Sequence, residues 1–437
     1  MSYLTELAKL VFLETLSAIE PDSKLKEKLR IEDGSFSAGG ELIPLTAFRE
    51  VVLLGIGKAS MTMGAAVESL LGNRITRGLL VTNHRLDIDV KSEVIVGGHP
   101  VPTHESVKAA EAMIELAQSC GPDTLSLFLI SGGGSSLVEI PFSPDISLED
   151  LQKTNQILIS CGASIHEINV VRKNLSGIKG GQLGHLARKS KRVGLYISDV
   201  NPGDLYSIAS NPLLPEVSEP AAFFAVLNKY ELKERLPRAV RKVVDQLDPV
   251  RLINDENSKD EDPLAVLVMD NTDALRAAAD AASRQGFLVE VVNDVIEGPY
   301  QAVADALIAR LLSLKSRESG PVCLVSGGEV SCPVRGGGVG GRNQEFVLYS
   351  ALQLARLGIG SEVAVLSCGT DGIDGNSTAA GAVADGTSTV RAAQLGEDAT
   401  SYIVANDSHT FFKKTGGVVV TGPTGNNVRD VRVLMTR

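Results

Sequence analysis

Serine and glycine crowd two short runs, ISGGGSSL (Ile130–Leu137) and VSGGE (Val325–Glu329), and each follows an apolar stretch that reads as a β-strand. Glycine lets the backbone turn sharply and lets its amides approach an anion closely. Where a helix begins at such a turn, its N-terminus adds positive potential. Ser131, Gly132, Gly133, Gly134, Ser135 and Ser136 in the first run, and Gly327 and Gly328 in the second, are therefore candidates for holding a phosphate or a carboxylate. The plain alternative is a packed strand-to-helix turn with no ligand. A nucleophilic serine is disfavoured, because the run lacks the GxSxG elbow and no histidine is evidently placed to activate it.

Charged residues stand beside further turns of this kind. In GIGKAS (Gly55–Ser60) a tight turn presents Lys58 at a helix start, where a lysine can reach an anion at the strand ends. The segment is not a complete dinucleotide fingerprint, since Ser60 replaces the third glycine. Nor is it a Walker A loop, since Val52 stands at the first glycine and Ala59 follows the lysine. Asp199 ends a strand in ISDVNPGD, a position where α/β sheets bind ligands, and it suits either Mg²⁺ or a substrate hydroxyl proton. Asp204 suits a turn cap as well as a ligand. RKNLSGIKGG (Arg172–Gly181) sets Arg172, Lys173 and Lys179 beside a glycine pair, against the sign of the chain's net charge. An anion clamp and a solvated helix face explain that equally well. Arg342 follows flexible glycines in GGGVGGRNQE at a helix start, where acids are normally preferred, so it calls for an anion nearby. Glu329 closes VSGGE. Asp371 and Asp374 lie in GTDGIDG, whose spacing is not that of an EF-hand, so Asp371 is a candidate for one Mg²⁺ ligand and Asp374 reads as a turn acid. The histidines have no metal-binding spacing, and His99 in GGHPVP is expected to order a turn.

These residues must be positioned by a large α/β framework. With 437 residues, two domains are the better expectation. Hydrophobic residues make up 43% and charged residues 22%, which argues against wholesale disorder. The net charge of −11 disfavours bulk nucleic-acid or anionic-membrane binding, so a negative substrate needs a local cluster of cations and amides. The five cysteines are scattered, odd in number and without CxxC spacing, as expected of buried thiols in a reducing compartment. Neither a signal-peptide pattern nor an apolar run long enough for a bilayer is evident, so a cytoplasmic protein is expected.

Strand-like segments at 51–54, 78–81, 94–96, 125–130 and 193–198 alternate with helical spacing at 58–71, 104–118 and 147–160. Ser147 with Asp150 three residues later marks a helix start. The alternation predicts a doubly wound, mainly parallel sheet. A helical pair is expected over 221–246, and the acidic run DENSKDEDP (Asp255–Pro263) reads as a linker or exposed loop. A second α/β series then runs from 264. The expectation is two α/β domains, 1–247 and 248–437, with the active site in the cleft between them.

Taken together, GIGKAS, GGHPVP, SGGGSSL, RKxLSxIKGG, SDVxxGD, SGGE, GGRNQE, GTDGIDG, NDSxTFF and TGPTGNNV fall in the order seen in class II glycerate 2-kinases, which carry a C-terminal MOFRL domain. The chain resembles that family from about Leu4 to Leu434, and some members of it bear the label hydroxypyruvate reductase. The resemblance implies ATP-dependent phosphorylation of D-glycerate at its secondary hydroxyl, giving 2-phosphoglycerate. Carried over by position, Lys58 and Arg342 would be the catalytic cations, and Asp199, Glu329 and Asp371 the acidic site residues. ATP phosphates would meet the serine–glycine loops and Lys179, Mg²⁺ would sit on Asp199 or Asp371 with help from Glu329, and one of these carboxylates, Asp199 ahead of Asp371, would accept the hydroxyl proton. The partners implied are glycerate and nucleotide, in a monomer or homodimer. Thr103, Asn174, Asn211, Asn376, Ser377 and Thr378 depart from the family pattern, and glycerate contacts could lie in the Asn174 region. An NAD(P)-dependent hydroxypyruvate reductase and a non-catalytic sugar-phosphate sensor are the rival readings. The incomplete GxGxxG weighs against the first, and the acids gathered at glycine turns against the second.

Overall fold

A computed structural model describes residues 2–216, 220–246, 261–292 and 296–437. The chain forms two compact units, one of residues 21–268 and one of residues 1–20 with 269–437. The boundary expected at 247/248 and most of the acidic DENSKDEDP run lie outside the described residues.

In the unit 21–268, six strands lie in the order Glu93–Val96, Ile75–Thr82, Glu50–Ile56, Thr124–Ser131, Lys191–Ile197, Leu264–Met269. The first five pair in parallel. The strands are apolar almost throughout because both faces of the sheet are covered. On one face Val52, Leu54, Ile56, Phe128 and Ile130 pack with Ala109, Ala110 and Met113 of the helix His104–Gln118. Leu80 on another strand instead seats against Gly64 of the helix Ser60–Leu71. Chain order across the sheet reverses between Glu50–Ile56 and Thr124–Ser131. Ligands of open α/β sheets bind outside the carboxyl ends of the strands at such a reversal.

Between the strands Thr124–Ser131 and Leu264–Met269 the chain adds a helical cluster. The helices Leu148–Ser160, Ile165–Leu175, Pro220–Lys229 and Arg238–Gln246 share a core of Leu151, Leu158, Val171, Phe223, Leu227 and Val240. Ser147 caps the first of these helices with a reciprocal box: the Asp150 amide donates to Ser147 Oγ at 3.1 Å and the Ser147 amide to Asp150 Oδ2 at 3.1 Å.

The second unit carries a mixed sheet in the order Leu288–Val292, Val322–Ser326, Asp430–Thr436, Val363–Gly369, Gly381–Asp385, Val418–Val419. Only the first pair is parallel; Asp430–Thr436 runs antiparallel to both neighbours. The helices Tyr300–Arg317 and Arg342–Arg356 bury Leu307, Leu311, Phe346 and Leu354 against Leu324, Val365 and Leu434. The amphipathic helix Tyr3–Ala18 belongs here, with Leu4, Leu7, Val11 and Phe12 buried, and Asn426 Nδ2 donates to Ile19 O at 2.7 Å. All five cysteines are free thiols. No helix among the described residues is long and apolar enough to cross a membrane.

Candidate functional site

In the unit 21–268 the turn after Glu50–Ile56 and the turn after Thr124–Ser131 meet at the reversal of strand order. They are locked together by backbone. The Lys58 amide donates to Gly132 O at 2.9 Å, and the Ala59 amide donates to Ser131 Oγ at 3.0 Å. Gly57 sits at φ +127°, and a Cβ there would lie 2.2 Å from Ser131 Oγ, so only glycine allows this approach. The fully buried Ser131 hydroxyl thus joins the two turns. Gly133, at φ +82°, is flanked by the Lys58 stem and the His99 ring, each 3.1 Å from where its Cβ would be. Ser135 Oγ pairs with Ser210 Oγ at 2.7 Å, and Ser136 Oγ donates to Gly133 O at 3.3 Å. Asp199 lies two residues past the strand Lys191–Ile197, whose Ile197 is in register with Ser131. Asp204 accepts from the Ser207 amide and hydroxyl, at 3.1 and 2.5 Å, as a turn cap.

A cavity of about 790 Å³ opens beside these turns, bordered by His99, Gly133, Ser135, Ser136, Gln152 and Arg172. That volume lies within the usual range for small-molecule sites. Lys179 stands elsewhere. Only 1% exposed, it forms an ion pair with the buried Glu139, which also accepts from Ser176 Oγ at 2.7 Å. Burial pushes the Lys179 ammonium down to about 7, and the touching Glu139 carboxylate opposes that push. Lys173 is likewise engaged, by Glu216 at 2.5 Å.

The second unit gathers a different constellation. Arg342 opens the helix Arg342–Arg356 and grips Asp430 with two parallel bonds, Nε to Oδ2 at 2.7 Å and Nη2 to Oδ1 at 2.9 Å. Its Nη1 meets Glu329 at 2.7 Å. Burial alone would lower the guanidinium's pKa, but the Asp430 and Glu329 carboxylates override it and hold Arg342 above its ordinary value. Asp430 is fully buried; burial acts to raise its carboxyl, and Arg342 with Arg432 and Asn343 brings it below the ordinary range. The anion that Arg342 called for is therefore supplied in part by the protein. Asp371 follows the strand Val363–Gly369, accepts from the Ile373 amide at 3.1 Å, and has its Oδ1 3.0 Å from the Cβ position of Gly369. Gly327 and Gly328 are held from behind: Arg432 Nη1 donates to Gly327 O at 2.6 Å, and the Gly328 amide donates to Asn271 Oδ1 at 3.2 Å.

Asp374, which reads in the sequence as a turn acid, is buried and caps that helix. Its carboxylate accepts from the amides of Asn343 at 3.0 Å and Gln344 at 2.9 Å, replacing the side chain that Gly341 cannot supply. Asp430, Arg432 and Glu139 carry no motif signal of their own. The one available cue is a charged Arg429-Asp430-x-Arg432 string opening an otherwise apolar strand, which demands buried pairing.

Glu345, 1% exposed, is one turn inside the same helix. Burial pushes its carboxyl up to about 7, and Asp374 and Asp407 add to this. Ser408 lies close enough to offset part of the shift, yet neither carboxylate oxygen makes a hydrogen bond of good geometry among the described residues. Between about pH 4.5 and 7 the native state then holds a proton that the unfolded chain has released, so stability falls as pH rises through that window. Glu345→Gln is expected to stabilise the protein by up to about 3 kcal/mol at pH 8 and by little at pH 4.5. Urea melts at the two pH values check this; an equal shift at both would refute it.

Among the described residues no group of three or more His, Cys, Asp or Glu side chains could hold a metal ion. Mg²⁺ needs fewer protein ligands than that, since it keeps waters and binds through one or two carboxylates and substrate phosphates. The hard oxygen donors Asp199 and Asp371, each just past the carboxyl end of a strand, suit such a role.

Residues 7–245 match the family described as Domain of unknown function (DUF4147), and residues 322–430 match the MOFRL family. The chain is 33% identical over 434 residues to the D-glycerate 2-kinase of Thermotoga maritima, covering 98% of this chain and 97% of that one. It is 32% identical to the glycerate 2-kinase of Pyrococcus horikoshii, over 96% and 94% of the two chains. A protein of Agrobacterium vitis with only a provisional hydroxypyruvate reductase name is 37% identical over 88% of this chain and 86% of its own. The crystal structure of the Thermotoga maritima glycerate kinase superposes with a TM-score of 0.81 at 32% identity, covering 99% of each chain.

Proposed function

The chain belongs to the glycerate 2-kinase family, and from that premise we propose that it transfers a phosphoryl group from ATP to the 2-hydroxyl of D-glycerate. The observation that carries this reading is the pair of interlocked glycine turns at the reversal of strand order, with Lys58 standing over Gly133. Phosphoryl transfer asks for positioning and charge neutralisation more than for covalent chemistry by the protein. In this reading the amides of Gly132, Gly133 and Gly134, the hydroxyls of Ser135 and Ser136, and Lys58 hold phosphate oxygens. Ser131 fixes the shape of the turn from beneath. Arg342 answers the charge that grows on the transferred group, and its bonds to Asp430 and Glu329 set the guanidinium plane beforehand, so no reorganisation is needed during the reaction. Asp199 takes the proton from the acceptor hydroxyl. Asp199 or Asp371 would hold Mg²⁺, with help from Glu329. When bound, that ion would neutralise negative charge on the nucleotide phosphates.

The strand order of the unit 21–268 is also that of dinucleotide-binding folds, which keeps an NAD(P)-linked hydroxypyruvate reductase as the second reading. One assay separates the two. ADP release is followed over a panel of small hydroxy acids, with phosphorus NMR of the product, beside NADPH oxidation with hydroxypyruvate. Release of ADP with glycerate and a 2-phosphoglycerate resonance are expected. NADPH oxidation without ADP release would overturn the kinase reading.

A further inference from the structure

We infer that Arg172 is the residue that binds the carboxylate of the acceptor acid, in the cavity bordered by His99, Gly133, Ser135 and Ser136. The inference rests on the kinase reading for the identity of the acid. Arg172 lies in the last turn of the helix Ile165–Leu175, in the helical cluster inserted after Thr124–Ser131. Its Nε donates to Asn155 Oδ1 at 2.8 Å, and it forms no ion pair with any acid among the described residues. That sets it apart from its neighbours Lys173 and Lys179, which are held by Glu216 and Glu139. Burial alone lowers its pKa, with no carboxylate to offset the effect. A guanidinium remains charged in proteins all the same. A largely buried cation without a counter-ion is costly unless a ligand anion supplies one.

The geometry selects the kind of anion. With Nε occupied by Asn155, the two terminal nitrogens remain as a planar fork, which matches the two oxygens of a carboxylate. The other charged groups on the cavity wall are Glu149 and Lys153, both solvent-exposed on the helix Leu148–Ser160, and the exposed His99 is the remaining titratable group. None of them contacts Arg172 as an ion pair. The same wall includes Gly133, Ser135 and Ser136, the residues assigned to phosphate oxygens. An acid held by Arg172 therefore shares one cavity with the group it is to receive. Asn155 is a positioning residue, since it holds the guanidinium plane.

Arg172→Gln and Arg172→Lys test the inference in full-length protein. With D-glycerate, Arg172→Gln is expected to raise KM roughly a hundredfold, the scale of a lost bidentate charge-assisted pair, while kcat changes by less than about threefold. Glyceramide, the neutral amide, should bind the parent and the variant alike in calorimetric titrations. Arg172→Lys should recover only part of the loss, and Asn155→Ala should raise KM about tenfold or less. The melting temperature without ligand should not fall in Arg172→Gln, because a buried charge without a carboxylate partner is being removed. A rise in KM for ATP with KM for glycerate unchanged would assign Arg172 to nucleotide phosphates and overturn the proposal. So would an unchanged KM for both, or a drop in kcat alone. Failure of the kinase reading looks different: the parent itself would release no ADP with glycerate. In that case binding of glycerate or lactate to the parent and its loss in Arg172→Gln still decides the carboxylate site.

Discussion

Arg342→Ala is expected to lower kcat by at least about a hundredfold, the scale on which loss of a charge-stabilising group acts in acyl and phosphoryl transfer. It also weakens the fold, because Asp430 is fully buried and loses a bidentate partner. Orphaning a buried charge costs about 3–5 kcal/mol. Here Asn343 Nδ2 still donates to Asp430 at 3.0 Å and Arg432 stays within 3.6 Å, so about 2–3 kcal/mol is expected. The two effects separate experimentally. Arg342→Lys keeps a positive charge near Asp430 and should restore part of the urea midpoint, yet it lacks the fork and should restore little of kcat. Steady-state ADP release well below the melting temperature, normalised to folded protein, gives the catalytic loss. A variant that melts early but turns over at the parental rate would reduce Arg342 to a structural cation.

Lys58→Ala is expected to remove as much activity while leaving the backbone bonds of the turn in place. The turn is held by the backbone, through the Lys58 amide on Gly132 O and the Ala59 amide on Ser131 Oγ, and the substitution touches neither bond. What disappears is the charged side chain whose Cγ lies beside Gly133. A fall in kcat of about a hundredfold or more, normalised to folded protein, is the expected pattern. Near-parental turnover of glycerate would remove Lys58 from the catalytic set.

Much of the framework was legible because its signals are local. The helix His104–Gln118 begins and ends where its spacing predicts, and Ser147 with Asp150 forms the capping box that the residue pair announces. The parallel sheet followed from strands alternating with helices, and its fully buried strands read as continuous apolar runs. The glycine turns were legible for the same reason: no other residue tolerates φ +127° at Gly57 against Ser131. What stayed hidden depends on partners distant in sequence. Nothing near position 342 reveals that Arg342 meets Asp430, 88 residues on. Lys179 looks like its neighbour Lys173 in a cationic string, and only the fold sends it inward to Glu139 while Arg172 borders a cavity. Their closeness in sequence groups all three cations but is silent on which carboxylates the tertiary fold brings to them. The antiparallel course of Asp430–Thr436 was equally invisible, because an apolar strand buried on both faces reads the same in either direction.

That strand has a consequence for how the protein is made. It lies between Val322–Ser326 and Val363–Gly369, and the sheet it completes is also the platform for the helix Tyr3–Ala18. On the ribosome the helix emerges more than four hundred residues ahead of the strand. At about 5–20 residues per second, Leu7, Val11 and Phe12 wait roughly 20–80 s for the surface that shields them. The apolar face of that helix therefore stays without its sheet until residues 430–436 have been made.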